Sequence, residues 1–226
     1  MTSSVIAIDG PAGSGKSTTA SAVAARLGLP HVESGALYRA LTLAALDAGT
    51  EFGGQRLVAL ARSLPVRLHV TDTGFRAEVA GTDVSGPIRS ERVTERVSEL
   101  SAIPEVREWV NEELRAAVAR HPRGAVLDGR DIGTVVFPDA ALKIFLVARP
   151  AQRALRRLRQ EGRAADDAAV AREVRELERR DRLDSTRAVA PLSQAADAVV
   201  IDTSDLSFEE QVQAIVERAR DLFGNG

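Results

Sequence analysis

The chain has 226 residues, 44% hydrophobic and 27% charged, which fits one globular domain or a core domain carrying a small insertion. Its formal charge is -2 with acids and bases interleaved, which argues against general nucleic-acid binding but permits a local basic pocket. There is no cysteine, excluding disulfides, zinc–thiolate sites and thiol nucleophiles, and the histidines His31, His69 and His121 show no metal-ligand spacing.

No run approaches roughly 18 uninterrupted apolar residues, so no membrane span is expected. MTSS leads straight into a strand-like segment with no room for a secretory signal, so a soluble cytoplasmic enzyme is the expectation. SSVIAID (3–9) is apolar and β-branched, the pattern of a buried strand. Gly10 to Gly15 then read as a turn, and Ser17 to Leu27 have helical spacing up to Gly28. Helices are predicted over 36–48, stopping at Gly49, and over 55–64. Between 65 and 86 the period changes: PVRLHV and FRAEVAG alternate around the turn TDTG, and GTDVSG supplies another turn. This predicts a small antiparallel insertion. Helices are predicted again over 88–101 and 105–120, the second with Pro104 near its start.

GAVLD (124–128) and LKIFLVA (142–148) suit central parallel strands. A charged helical stretch covers about 150–183, broken near Gly162. AVVID (198–202) reads as a last strand, and SFEE (207–210) as a capping box for a helix closing near Gly224. Five buried strands alternating with helices predict a doubly wound α/β domain.

The most informative segment is Gly10-Pro11-Ala12-Gly13-Ser14-Gly15-Lys16-Ser17-Thr18, which fits the phosphate-loop pattern between a strand and a helix. Glycines let backbone N–H groups converge on phosphate oxygens, and the following helix offers its positive end to the same anion. Lys16 would reach the β- and γ-phosphates, and the Ser17 hydroxyl would ligate Mg²⁺. Only Lys16 and Lys143 among the 30 basic residues are lysine, so position 16 selects a compact ammonium charge. Asp128, ending an apolar strand, is a candidate for holding a magnesium-bound water.

A GTPase switch fits poorly. It needs a guanine-reading Asn-Lys-x-Asp segment, and the only asparagines, Asn111 and Asn225, are not followed by lysine. Three polar clusters point to a second ligand instead. ESGALYRA puts Ser34, Tyr38 and Arg39 at a helix start, where an anion is favoured; Ser34 alone reads equally as a cap. LDGRDIGTVVFPDA follows a strand at its carboxyl end, where open α/β sheets bind ligands; the other reading is a polar turn with internal ion pairs. RRDRLDSTR places Arg180, Asp184 and Arg187 on one helix face if the helix persists, or else forms a solvated charged face.

In these segments the chain resembles the bacterial cytidylate kinases. GPAGSGKST, SGALYRA, DVSGPIR, DGRDIGTVVFPDA and RDRLDSTRAVAPL follow in that family's order and spacing over nearly the whole chain. The resemblance implies a three-layer P-loop nucleoside-kinase fold with a parallel five-stranded sheet. It also implies a small acceptor-binding insertion, with the acceptor region about 34–101, and a helical lid about 153–168. It implies transfer of the γ-phosphoryl group of ATP, with Mg²⁺, to CMP or dCMP. Carried over by motif, Ser34, Arg39 and Arg130 would hold the acceptor phosphate, and Tyr38, Arg180 and Asp184 would lie along the sugar. Ser98, Arg107 and Asp131 would read cytosine, and Arg187 would join the arginines at the transferring phosphates. Lid arginines Arg153, Arg157 and Arg159 would close over ATP. Some family members carry glycine at the position of Ser17, so that hydroxyl is not essential to the family.

Two other readings stay open on the residues alone: a P-loop kinase for a different small acceptor, and a nucleotide-responsive binding module. The arginines outside the phosphate loop favour a kinase, since a switch needs no second phosphate pocket. No nucleic-acid or membrane partner is expected, and a monomer is the expected state. Trp109 is assigned to helix packing.

Overall fold

A computed structural model describes residues 5–187 and 189–223. In chain order the elements are β1 (Val5–Asp9), α1 (Lys16–Leu27), β2 (His31–Glu33), α2 (Gly35–Asp47) and α3 (Gly54–Ser63). Then come β3 (Val66–Thr71), β4 (Gly74–Val79), β5 (Thr82–Asp83), a 3-10 turn (Pro87–Arg89), α4 (Glu91–Leu100) and α5 (Pro104–Ala119). The chain continues through β6 (Ala125–Gly129), a π turn (Ile132–Val136), β7 (Leu142–Val147), α6 (Pro150–Gln160), α7 (Asp167–Ser185), β8 (Val199–Asp202) and α8 (Phe208–Phe223). Five strands form one sheet in the order β2-β6-β1-β7-β8, and β3-β4-β5 form a second. The architecture is α/β, with the larger sheet parallel: β1 pairs with β7 from Ile6–Leu142 to Asp9–Phe145, and β7 with β8 from Ile144–Val199 to Val147–Asp202.

Two compact units divide the chain, Met1–Gly28 with Val126–Gly226, and Leu29–Ala125. In the first, β1 and β6 are buried along their whole length, as continuous apolar runs require inside a parallel sheet. The sheet order sends the chain from β1 to neighbours on both sides. The end of β1, where the phosphate loop begins, is therefore a topological switch point. Arg26 pairs with Glu209 at 2.5 Å and Gln211 donates to Thr19 at 2.8 Å, tying α1 to α8. The capping box at the start of α8 is reciprocal: Glu210 N–H donates to Ser207 Oγ at 3.2 Å, and Ser207 N–H to Glu210 Oε2 at 2.8 Å. That helix was expected to close near Gly224, which lies outside the described residues.

The second unit is built on α2, whose sequence GALYRALTLAALD is apolar nearly all round and is accordingly buried from Ala36 to Ala45, with Arg39 half-buried. The alternating stretch at 66–83 is a three-stranded antiparallel sheet, with Thr71 opposite Gly74 across the Asp72–Thr73 turn. Trp109 is buried on α5.

Three expectations change. The helix expected over 88–101 is a 3-10 turn followed by α4, because Ser90 is extended (φ -61°, ψ 155°) between them. The fifth parallel strand is β2, only three residues long and not named from the sequence. AVVID is not a buried strand: β8 is the sheet edge, paired only with β7, and Val200 is 47% exposed. Among the described residues no helix is long and apolar enough to cross a membrane.

Candidate active site

The phosphate loop is shaped by close backbone approach. A Cβ on Gly10, at φ +149°, would stand 2.2 Å from the Leu146 carbonyl oxygen, so the loop leaves the sheet where only glycine fits. Gly13, at φ +72°, would put a Cβ 3.2 Å from that of Arg153, so α6 packs directly on the loop. Lys16 opens α1 and is 6% exposed. Its ammonium donates to the Pro11 carbonyl at 2.7 Å and to Ser14 Oγ at 3.4 Å. Burial pushes its pKa well below the ordinary lysine value; Arg130 and Arg180 push the same way, and Asp128 and Asp9 oppose them. A bound anion would relieve that surplus positive charge.

The Ser17 hydroxyl donates to Asp128 Oδ2 at 2.6 Å, joining the first turn of α1 to the end of β6. A cleft of about 190 Å³ opens over the loop, lined by Ala12, Gly13 and Gly15 to Thr18, with Arg130, Arg157, Gln160 and Arg180 facing in. Residues from three distant stretches of sequence therefore meet at one cleft over the loop.

Arg130 follows β6, and its Nε donates to Asp184 Oδ2 at 2.8 Å. Asp184 Oδ1 lies 3.5 Å from Arg187 Nη1, so a single carboxylate spaces two guanidiniums. Burial alone would raise the Asp184 pKa, but Arg130, Arg187 and Arg180 together hold it below the ordinary carboxylate value. The i, i+4, i+7 expectation for this trio needs correction. The helix α7 ends at Ser185, and Arg187 reaches Asp184 from beyond the helix while donating to the Ala190 carbonyl at 2.9 Å. Asp131, 6% exposed, is the next residue after Arg130. The two N–H groups that follow it, of Ile132 and Gly133, donate to Asp9 at 2.9 and 2.8 Å.

The Leu29–Ala125 unit holds its own cluster. Arg39 on α2 donates to the Ile88 carbonyl at 3.2 Å and to Thr94 Oγ1 at 2.9 Å. Burial, then the nearby Arg89, lowers the Arg39 pKa, with Glu33 opposing. Arg107 is 2% exposed; it donates to the Ser101 carbonyl at 3.0 Å, and its guanidinium lies 5.5 Å from the Tyr38 ring centroid. Ser101 Oγ donates to the Ser98 carbonyl at 3.1 Å, so α4 and α5 meet at the Ser98–Arg107 pair through Ser101. The Ser98 side chain is on an exposed position, and Ser34 sits at the N-terminal boundary of α2.

The lid arginines separate. Arg157 faces the cleft and pairs with Glu161 and Glu173, each at 3.0 Å. Arg159 is exposed. Arg153 does not reach into the cleft as a lid residue would: it is buried, donates to the Ala12 carbonyl at 2.9 Å and pairs with Asp181. Sequence reasoning missed Asp9, Asp181, Arg89 and Arg156. Arg156 donates to Thr203 Oγ1 at 2.8 Å, and Arg89 pairs with Glu33 at 2.9 Å. The adjacency of Asp9 to the loop and of Asp181 to Arg180 was the available signal. In the sequence neither is distinguished, because their backbone partners, the Ile132 and Gly133 N–H groups for Asp9 and the Ala12 N–H for Asp181, lie far along the chain.

A family model described as cytidylate kinase matches residues 6–221. A cytidylate kinase of Streptomyces griseus is 44% identical over 213 residues, covering 94% of this chain and 90% of its own. One of Methylococcus capsulatus is 47% identical over 210 residues, covering 92% and 93%. Among solved structures, an uncharacterized protein of Eubacterium ventriosum is similar in fold alone, with a TM-score of 0.51 and 12% identity over 95% of this chain and 97% of that one.

Proposed function

The chain belongs to the cytidylate kinase family, and from that premise we propose that it carries the terminal phosphoryl group of ATP to CMP or dCMP, yielding ADP and the diphosphate. The observation that carries the reading is the cleft in which Lys16, Arg130 and Arg180 converge over the phosphate loop.

An oxygen of the acceptor phosphate forms a bond to Pγ as the bond from Pγ to the β,γ-bridging oxygen breaks, and ADP leaves with that electron pair. The attacking oxygen is already anionic, so no general base is required. The barrier lies in bringing two anions together and in keeping water from taking the phosphoryl group. Lys16 and the loop N–H groups hold the donor, and Arg130, Arg180 and Arg187 offset charge on the equatorial oxygens. A guanidinium in this role is worth about 10³–10⁵ in rate in related transfers. Asp184 fixes the spacing of Arg130 and Arg187. Ser34 and Arg39 hold the acceptor phosphate, Tyr38 lies along the sugar, and Asp131, with Ser98 and Arg107, reads cytosine. Asp131 accepts from the cytosine amino group but would oppose the uracil carbonyl oxygen.

Ser17 and Asp128 are hard oxygen donors held 2.6 Å apart beside Lys16, a pair that suits Mg²⁺ completed by phosphate oxygens and water. Ser17 and Asp128 would hold Mg²⁺ there, and the ion would supply neutralisation of phosphate charge. Arg157 lines the cleft, and closure of the lid that carries it would exclude water. The enzyme is proposed to act as a cytoplasmic monomer.

A coupled ADP-release assay with CMP, dCMP, UMP, AMP and GMP tests the reading. Selective stimulation by CMP and dCMP is expected. ADP release that ignores the acceptor, or that prefers another nucleotide, would overturn it.

A further inference from the structure

The most demanding feature of the phosphate loop is not a residue that faces the cleft. Ala12 donates its N–H to Asp181 Oδ1 at 2.8 Å and accepts at its carbonyl from Arg153 Nη1 at 2.9 Å. Arg153 and Asp181 are themselves paired. One ion pair thus takes both backbone polar groups of a single loop residue. The pair is sheltered, with side chains 7% and 19% exposed. Beside it the Ala12 methyl packs in an apolar cluster with Ala154 of α6 and Leu177 of α7.

This arrangement does something an ordinary helix-to-helix ion pair does not. A loop that binds an anion through N–H groups must keep its carbonyl oxygens from facing that anion. Engaging the Ala12 carbonyl with a guanidinium fixes the orientation of that peptide and offsets its negative end. The pair also has a fixed relation to the cleft. Arg157, which lines it, is one helical turn beyond Arg153 on α6, and Arg180, which also lines it, immediately precedes Asp181 on α7.

We propose that Arg153 and Asp181 are a positioning pair: they hold the phosphate loop in its anion-binding form and make α6 and α7, with Arg157 and Arg180, move as one body with it. The pair touches no substrate. The inference rests on the reading that this loop holds the donor triphosphate, and the test separates the two.

Full-length protein is titrated calorimetrically with ATP alone and with CMP alone, as wild type, Asp181→Asn, Arg153→Lys and Arg149→Ala. The last breaks the exposed Arg149–Asp205 pair at the start of the same helix and serves as control. Asp181→Asn is expected to raise the ATP dissociation constant about tenfold or more and that of CMP by no more than about threefold, the scale of a lost charged hydrogen bond. Hydrogen exchange should speed up at the Ala12 amide and stay slow in β1. Arg153→Lys keeps the charge without the planar fork and should weaken ATP about threefold. Arg149→Ala should change neither. ATP affinity within twofold of wild type in both pair variants, or equal losses for ATP and CMP, would overturn the proposal. If Asp181→Asn does not fold, Arg153→Lys decides by the same comparison. A wild type that binds CMP but not ATP would instead overturn the reading of the loop, and this inference with it.

Discussion

The phosphate-loop unit and the Leu29–Ala125 unit both gather buried arginines, but they hold them differently. Around the loop the cations are balanced by carboxylates: Arg130 and Arg187 by Asp184, and Arg153 by Asp181. In the other unit Arg39 rests on neutral oxygens, the Ile88 carbonyl and the Thr94 hydroxyl. A carboxylate partner fixes a guanidinium in place; a neutral oxygen satisfies it while leaving its charge unspent. On the proposed reading the donor cradle is held by fixed ion pairs, whereas the Arg39 charge is still available to an incoming phosphate.

The largest expected effect tests the donor side at its centre. Replacing Lys16 by Met removes the one ammonium the cradle is closed around, and kcat/KM should fall by about 10³-fold or more, the scale set by deleting a charged stabiliser in phosphoryl transfer. CMP binding measured without ATP should hardly change. A comparable loss of CMP affinity would show that the two sides are not separable.

Next comes Asp9, which marks how far the donor side is over-determined. Burial raises its carboxyl from 3.8 to about 6 against the pull of the Ile132 and Gly133 N–H groups, with Asp131 raising it further and Lys16 opposing. The unfolded chain ionises this group at the lower value, so between the two the folded protein holds more protons and loses stability as pH rises. The loss approaches about 3 kcal/mol once pH passes the upper value, at roughly 1.4 kcal/mol per pKa unit. Other carboxylates, Asp184 among them, have depressed pKa values and slope the opposite way, so the measurement is a difference. Urea unfolding of wild type and Asp9→Asn at pH 4 and 7 should show the wild type giving up more stability, relative to the variant, on going to pH 7. Parallel behaviour of the two proteins would remove Asp9 as the source.

These two sites also show what the sequence makes legible. The loop with its flanking strand and helix follows from local pattern, because glycine spacing and apolar periodicity act over a few residues. Arg130, Asp184 and Arg187 are legible through the family resemblance, and helical spacing alone misplaces Arg187, which lies beyond the end of α7. Asp181 and Arg153 lie 169 and 141 residues from the loop residue they hold. In the sequence each is one charge in a charged helical stretch, and only packing distinguishes a clamp from a solvated face. The short strand β2 failed for a related reason: three residues, HVE, carry no period. The edge strand β8 failed because AVVID is as apolar as a central strand, and its exposure depends on what lies beside it.

A smaller loss is expected from Asp131→Asn, in the phosphate-loop unit. An amide can present its N–H to the cytosine amino group and lose the bond, so kcat/KM for CMP should drop by about 1–3 kcal/mol, roughly 5- to 150-fold, with ATP affinity preserved. UMP should gain relative to CMP. Unchanged CMP kinetics would remove Asp131 from base reading.

The smallest effect bears most directly on the contrast between the two units. If Arg39 rests on Thr94 only until a phosphate arrives, the 2.9 Å bond to that hydroxyl competes with the ligand. Thr94→Ala removes the competitor. This bond is donated by a charged guanidinium that water can solvate in its place, so only part of the roughly 1.5 kcal/mol or more of such a bond is recovered and CMP should bind about two- to tenfold more tightly, with ATP unaffected. The Ile88 carbonyl still engages the guanidinium at 3.2 Å, which keeps Arg39 from swinging free in the variant. Weaker CMP binding would mean that Thr94 holds Arg39 in its working position. Arg39 would then be fixed by neutral oxygens as firmly as Arg130 and Arg153 are by carboxylates.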